Sequence, residues 1–121
     1  MTLSNLEAEK APQEILSRCV TLALDKKARD VVSLDMAGLT LICDYFLIMT
    51  ATSTRQAQAL CDELELVLKA QGCPPLRVEG YRDSRWILLD LGCVVVHIFL
   101  EEERQFYDLE RLWGQAPKTE Y

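Results

Sequence analysis

The sequence predicts a mixed α/β (α+β) fold, with helices packed on a mixed sheet of about five strands. Three observations carry this expectation. A strongly amphipathic segment with start and stop signals lies near the middle of the chain, two β-favouring runs precede it, and three more follow, separated only by turn-length polar stretches. With 121 residues, half of them hydrophobic and 26% charged, the chain suits one domain that buries about two-thirds of the surface its unfolded form exposes.

Residues 1–11 are polar and irregular and are expected as a flexible tail, the domain as 12–117, and residues 118–121 as a second tail. From Pro12 to Ala28, Ile15, Cys19 and Leu22 recur at helical spacing, and the segment ends in the basic "DKKAR", which suits the negative end of a helix dipole. "DVVSLDM" alternates Val32, Leu34 and Met36 against Ser33 and Asp35, the period of a strand. "DYFLIMT" is an unbroken apolar run, as a strand covered on both faces requires. The second helix has Ser53 and Gln56 at capping-box spacing and an apolar stripe of Ala57, Leu60, Cys61, Leu64 and Leu68. Gly72, Pro74 and Pro75 close it. "LRVEG", "WILLD" and "VVVHIFL" read as strands joined by antiparallel turns, and Phe106, Leu109 and Trp113 set the stripe of a last helix.

The net charge of −6 disfavours a non-specific grip on nucleic-acid phosphate, so any work near RNA is expected to go through a protein. Cys19, Cys43, Cys61, Cys73 and Cys93 are odd in number and form no CxxC pair, which speaks against a disulfide framework or a zinc site. No secretory signal and no uninterrupted apolar run of membrane-spanning length is visible, and a cytoplasmic address is expected.

The chain's one histidine, His97, sits inside "VVVHIFL", with Val95 and Phe99 on its face and Val94, Val96, Ile98 and Leu100 on the other. An acid–base role needs an orienting partner and a pocket, and a metal needs further ligands at suitable spacing, so His97 reads as structural. Glu101, Glu102 and Glu103 suit the positive end of the last helix and can also present charge to a basic partner. "TATSTRQ" joins a strand to a helix but contains no glycine, and capping accounts for Ser53. No Asp-x-Asp occurs, although metal-dependent nucleotidyl transfer needs clustered carboxylates. Trp86 opens a strand after the charged turn "YRDSR", a place for either an interface anchor or edge packing, whereas Trp113 fits the core.

Taken together, "DYFLIMTATSTRQ", "LRVEGYRDSRWILLDLGCVVVHIFL" and "YDLERLWG" closely resemble the Iojap-related ribosomal silencing factors, RsfS, over about Ile15 to Pro117. The chain departs from the usual Gly-Asp at Gly92-Cys93 and from TGTSSR at "TATSTR". The resemblance implies a nucleotidyltransferase-like fold without the catalytic carboxylates, and a translation repressor with no cofactor. Such a protein binds the large ribosomal subunit through its protein fourteen and sterically blocks subunit joining when nutrients are short. Carried onto the matching motif, the binding surface comprises Trp86, Asp90 and Leu91, extended to Arg77, Glu79 and Glu101 to Glu103; Cys93 removes a carboxylate from that corner. Two other readings stay open: a degenerate nucleotidyltransferase using Ser53 and Asp44 with a metal, and a homodimeric scaffold.

Overall fold

The computed structural model describes residues 3–121, with side chains from residue 12 onward. The first helix, α1, spans Leu3–Asp25 and therefore starts well before Pro12, passing through a proline that supplies no N–H. Of the expected N-terminal tail, residues 3–11 are helical and residues 1–2 lie outside the described residues. α1 ends at Asp25, three residues earlier than predicted; Lys27 turns left-handed at φ 63, and the basic residues lie just beyond the helix.

The strands are β1 (Arg29–Asp35), β2 (Tyr45–Ala51), β3 (Arg77–Glu79), β4 (Trp86–Asp90), β5 (Val94–Leu100) and β6 (Lys118–Glu120), with α2 (Thr54–Ala70) between β2 and β3. They form a six-stranded mixed sheet in the order β3-β4-β5-β2-β1-β6. Only β2 and β5 run parallel, Tyr45 opposite Val94 through Ala51 opposite Leu100. The expected count of five strands is one short, because Lys118–Glu120 pairs antiparallel with β1 rather than trailing as a tail. Its backbone does the work: Asp35 N–H donates to Pro117 O at 2.9 Å, and Tyr121 N–H to Val31 O at 2.9 Å.

The capping box closes as the spacing requires. Ser53 Oγ accepts Gln56 N–H at 3.0 Å, and the Gln56 side chain accepts Thr52 N–H at 2.6 Å while donating to the carbonyls of Lys26 and Lys27. One glutamine thus ties the start of α2 to the end of α1.

The predicted last helix is instead two, α3 (Glu101–Tyr107) and α4 (Leu109–Leu112), broken at Asp108 in the left-handed region at φ 44. The break takes Phe106 off the stripe and leaves it 79% exposed, while Leu109 and Trp113 still pack inward.

Strand alternation sends side chains to two cores. Leu47, Met49, Ile87, Leu89, Val94, Val96 and Ile98 meet α1 and α2. Val32, Leu34, Ile48, Val95 and Phe99 face the other way, against Met36, Cys43, Leu109, Trp113 and Ala116. Cys19, Cys43 and Cys61 are buried, and burial pushes their thiols up to about 12, 11 and 12. No helix among the described residues is long and apolar enough to cross a membrane.

Candidate partner-binding face

The sheet face turned away from α1 and α2 gathers most of the predicted site residues. Antiparallel pairing sets Arg77 opposite Asp90 and Glu79 opposite Leu88, and places Trp86 against Phe99 and Leu88 against His97 in the next ladder. Because side chains alternate, Arg77, Glu79, Trp86, Leu88, Asp90, Val95, His97 and Phe99 share this one face.

Trp86 is its half-buried centre. Its ring stacks on Phe99 with centroids 4.9 Å apart and lies against Tyr107 at 4.5 Å. Its indole N–H donates to His97 Nδ1 at 3.1 Å. His97 is buried, in edge contact with Phe46 at 4.8 Å, and Phe46 meets Trp113 at 6.0 Å. An aromatic row therefore runs from α4 across the sheet to the end of α3. Burial holds the His97 imidazole down to about 4, so at neutral pH it is an uncharged acceptor.

Charge surrounds this row. Arg77 Nε lies 3.3 Å from Asp90 Oδ2, and Asp90 Oδ1 accepts the Gly92 N–H at 2.8 Å. On the other side, Arg85 pairs with Glu103 and, at 3.3 Å, with Glu102. The turn carrying Trp86 is tightly built. Gly80 has φ +80, and a Cβ there would sit 2.0 Å from the Trp86 carbonyl oxygen. Fully buried Ser84 donates its N–H back to Gly80 O, and Tyr81 Oη donates to Asp62 on α2 at 2.9 Å.

Not every predicted residue joins this face. Leu91 packs against the α1/α2-side core, since it is one strand position out of phase with Asp90. The three glutamates divide around the start of α3: Glu102 and Glu103 brace Arg85, whereas Glu101 bonds Gln105 and lines a separate cleft. Cys93 contributes through its backbone, its carbonyl accepting the N–H groups of Asp44 and Tyr45 at 2.8 and 3.1 Å, while its side chain packs on the helix-side core. The Ser53–Asp44 pairing is not assembled, because these residues lie beyond opposite ends of β2, more than about 20 Å of extended chain apart. The contact that residue patterns alone did not supply is the Trp86–His97 bond.

The separate cleft, about 380 Å³, lies between β1, β6 and α3. Its cations are internally engaged: Arg104 bonds Glu110 at 3.0 Å, Asp30 O at 2.6 Å and Thr50 Oγ1 at 2.8 Å, and Lys118 meets Glu110 at 3.4 Å. It fastens α3, α4 and β6 to the sheet.

Residues 8–121 match the family described as "RsfS: Ribosomal silencing factor during starvation". The chain belongs to the ribosomal silencing factor family. The RsfS protein "Ribosomal silencing factor RsfS" of Halalkalibacterium halodurans is 50% identical over 108 residues, covering 89% of this chain and 92% of that protein. A crystal structure of a protein from Chromobacterium violaceum superposes with a TM-score of 0.82 at 36% identity, covering 84% of this chain and 85% of that one. The mouse protein "Mitochondrial assembly of ribosomal large subunit protein 1" is 34% identical over 97 residues, 78% of this chain and 42% of its own length.

Proposed function

We propose that this RsfS-family chain acts by binding rather than turnover, docking its Trp86 face on the large ribosomal subunit and blocking the small subunit sterically. The observation that carries the reading is Trp86 itself. It is a rigid, half-buried aromatic anchor on a preformed face, rimmed by ion pairs, which is the composition of an interface centre. The mouse relative's name points to the large subunit as the target. A protein of that subunit, its protein fourteen, is the partner that fits the family resemblance, and a net charge of −6 complements a basic ribosomal protein.

On this reading the protein works in the cytoplasm as a translation repressor under nutrient limitation, without a cofactor, and homodimerisation is a secondary property. Arg77, Glu79, Asp90, Glu102 and Glu103 form the charged rim. The test is co-sedimentation of the purified protein with isolated large and small subunits, followed by order of addition in a subunit-joining assay. Pelleting with large subunits alone, and inhibition only when the protein is added before joining, is the expected result. Equal pelleting with small subunits, or equal inhibition of preassembled ribosomes, overturns the reading.

A further inference from the structure

We propose that His97 is a positioning residue for the docking face: by accepting the Trp86 indole N–H at 3.1 Å from the adjacent strand, it fixes the orientation in which Trp86 meets the large-subunit partner. The inference rests on the Trp86 face being the partner surface.

Stacking alone does not select one orientation of the indole. Phe99 and Tyr107 offer flat rings at 4.9 and 4.5 Å, and a ring turned over on them keeps its stacking area while exchanging the N–H edge for the benzo edge. A directional hydrogen bond distinguishes the two, and His97 Nδ1 supplies it. His97 can do so because β4–β5 pairing puts it opposite Leu88, diagonal to Trp86 on the same face.

The cost of keeping an imidazole here points the same way. With Nδ1 accepting, the neutral ring carries its proton on Nε2, and Nε2 is buried with no partner among the described residues. A buried donor left unpaired costs as much as one neutral hydrogen bond returns, or more. An apolar side chain would therefore serve folding at least as well. What an apolar side chain lacks is an acceptor aimed at the indole. Burial strengthens the case by holding the ring's pKa down to about 4, which preserves the Nδ1 lone pair at neutral pH.

The test uses the full chain and isolated bacterial large ribosomal subunits as the probe. Binding is measured for wild type, His97→Leu, His97→Asn and Trp86→Phe, each checked for cooperative melting, and indole N–H exchange of Trp86 is followed by NMR in a Trp113→Phe background. His97→Leu is expected to speed indole exchange and weaken binding, each by about tenfold. His97→Asn, whose Oδ1 stands where the imidazole Nδ1 stood, should hold both within about threefold of wild type. The His97→Leu/Trp86→Phe double variant should bind no worse than Trp86→Phe alone, since one bond cannot be lost twice. If His97→Leu does not melt cooperatively, His97→Val, which also offers no acceptor and suits a strand, replaces it under the same expectations. Wild-type binding by a folded His97→Leu protein, or losses that multiply in the double variant, overturns the positioning role. Failure of the wild-type protein to bind large subunits has a different meaning: the ribosome reading falls, and this inference falls with it.

Discussion

Trp86 has two duties, and a single truncation reports both. Trp86→Ala removes the ring from Phe99, Tyr107 and His97. Because the ring is only half-buried, the stability cost should be about 1–3 kcal/mol, below that of a core tryptophan. Loss of the anchor should weaken large-subunit binding by about 2–4 kcal/mol. Melting and affinity measured on one sample separate the two; normal affinity in the folded variant would remove Trp86 from the interface. His97 gives a pH prediction. Its folded pKa is about 4 against a reference of 6.5, so its contribution is complete above 6.5 and is lost as pH falls towards 4, where the unfolded chain takes up a proton that the folded chain refuses. The loss amounts to about 3 kcal/mol. Urea denaturation at neutral and mildly acidic pH should show a shallower decline for His97→Gln than for wild type, and identical slopes would contradict this assignment. The faces of these residues were legible in the sequence: period-two alternation put His97 with Val95 and Phe99, where they lie. The hydrogen bond was not, because it depends on how β4 registers against β5, and nothing local to either strand states that register. Leu91 lies off this face for a related reason, since a motif names consecutive residues while a strand sends them to opposite sides.

The Gly80–Arg85 turn is the element with the least freedom. An alanine at position 80 would have to adopt φ +80 and bring its Cβ to 2.0 Å from the Trp86 carbonyl oxygen, so Gly80→Ala should cost more than about 1 kcal/mol and shift the start of β4. The expected signature is a lowered melting temperature together with weakened large-subunit binding, because the turn delivers Trp86. A variant unchanged in both would show that the turn relaxes without disturbing its strand. α2 was the most legible element, since stripe, cap and stop agree on one boundary. The C-terminal third was the least. Asp108 has nothing in its neighbourhood to announce a left-handed break, so Phe106, Leu109 and Trp113 looked like one continuous stripe. β6 is three exposed polar residues whose strand character comes wholly from pairing with β1, a tertiary effect that propensity cannot register.

Across the whole molecule, the net charge of −6 should act mainly on encounter. Association with a basic ribosomal partner should slow as salt rises, while dissociation changes less. Stopped-flow or surface-capture kinetics over a salt series would show this, and a salt-independent on-rate would rule out electrostatic steering. The sheet's two borders carry a different consequence. β3 and β6 are each three residues long and charged at both ends, Arg77 and Glu79 on one, Lys118 and Glu120 on the other. Short, charged borders discourage another chain from continuing the hydrogen-bond ladder, so a self-associated form should join through faces rather than grow a longer sheet. β6 is also the only guard over β1, whose centre is Val31, Val32, Ser33 and Leu34, all buried. Removing residues 117–121 would uncover that strand from Val31 to Asp35. The shortened protein should then scatter light on concentration as chains template one another, and a shortened protein that stays clear and monomeric would show that β6 closes the sheet without shielding it.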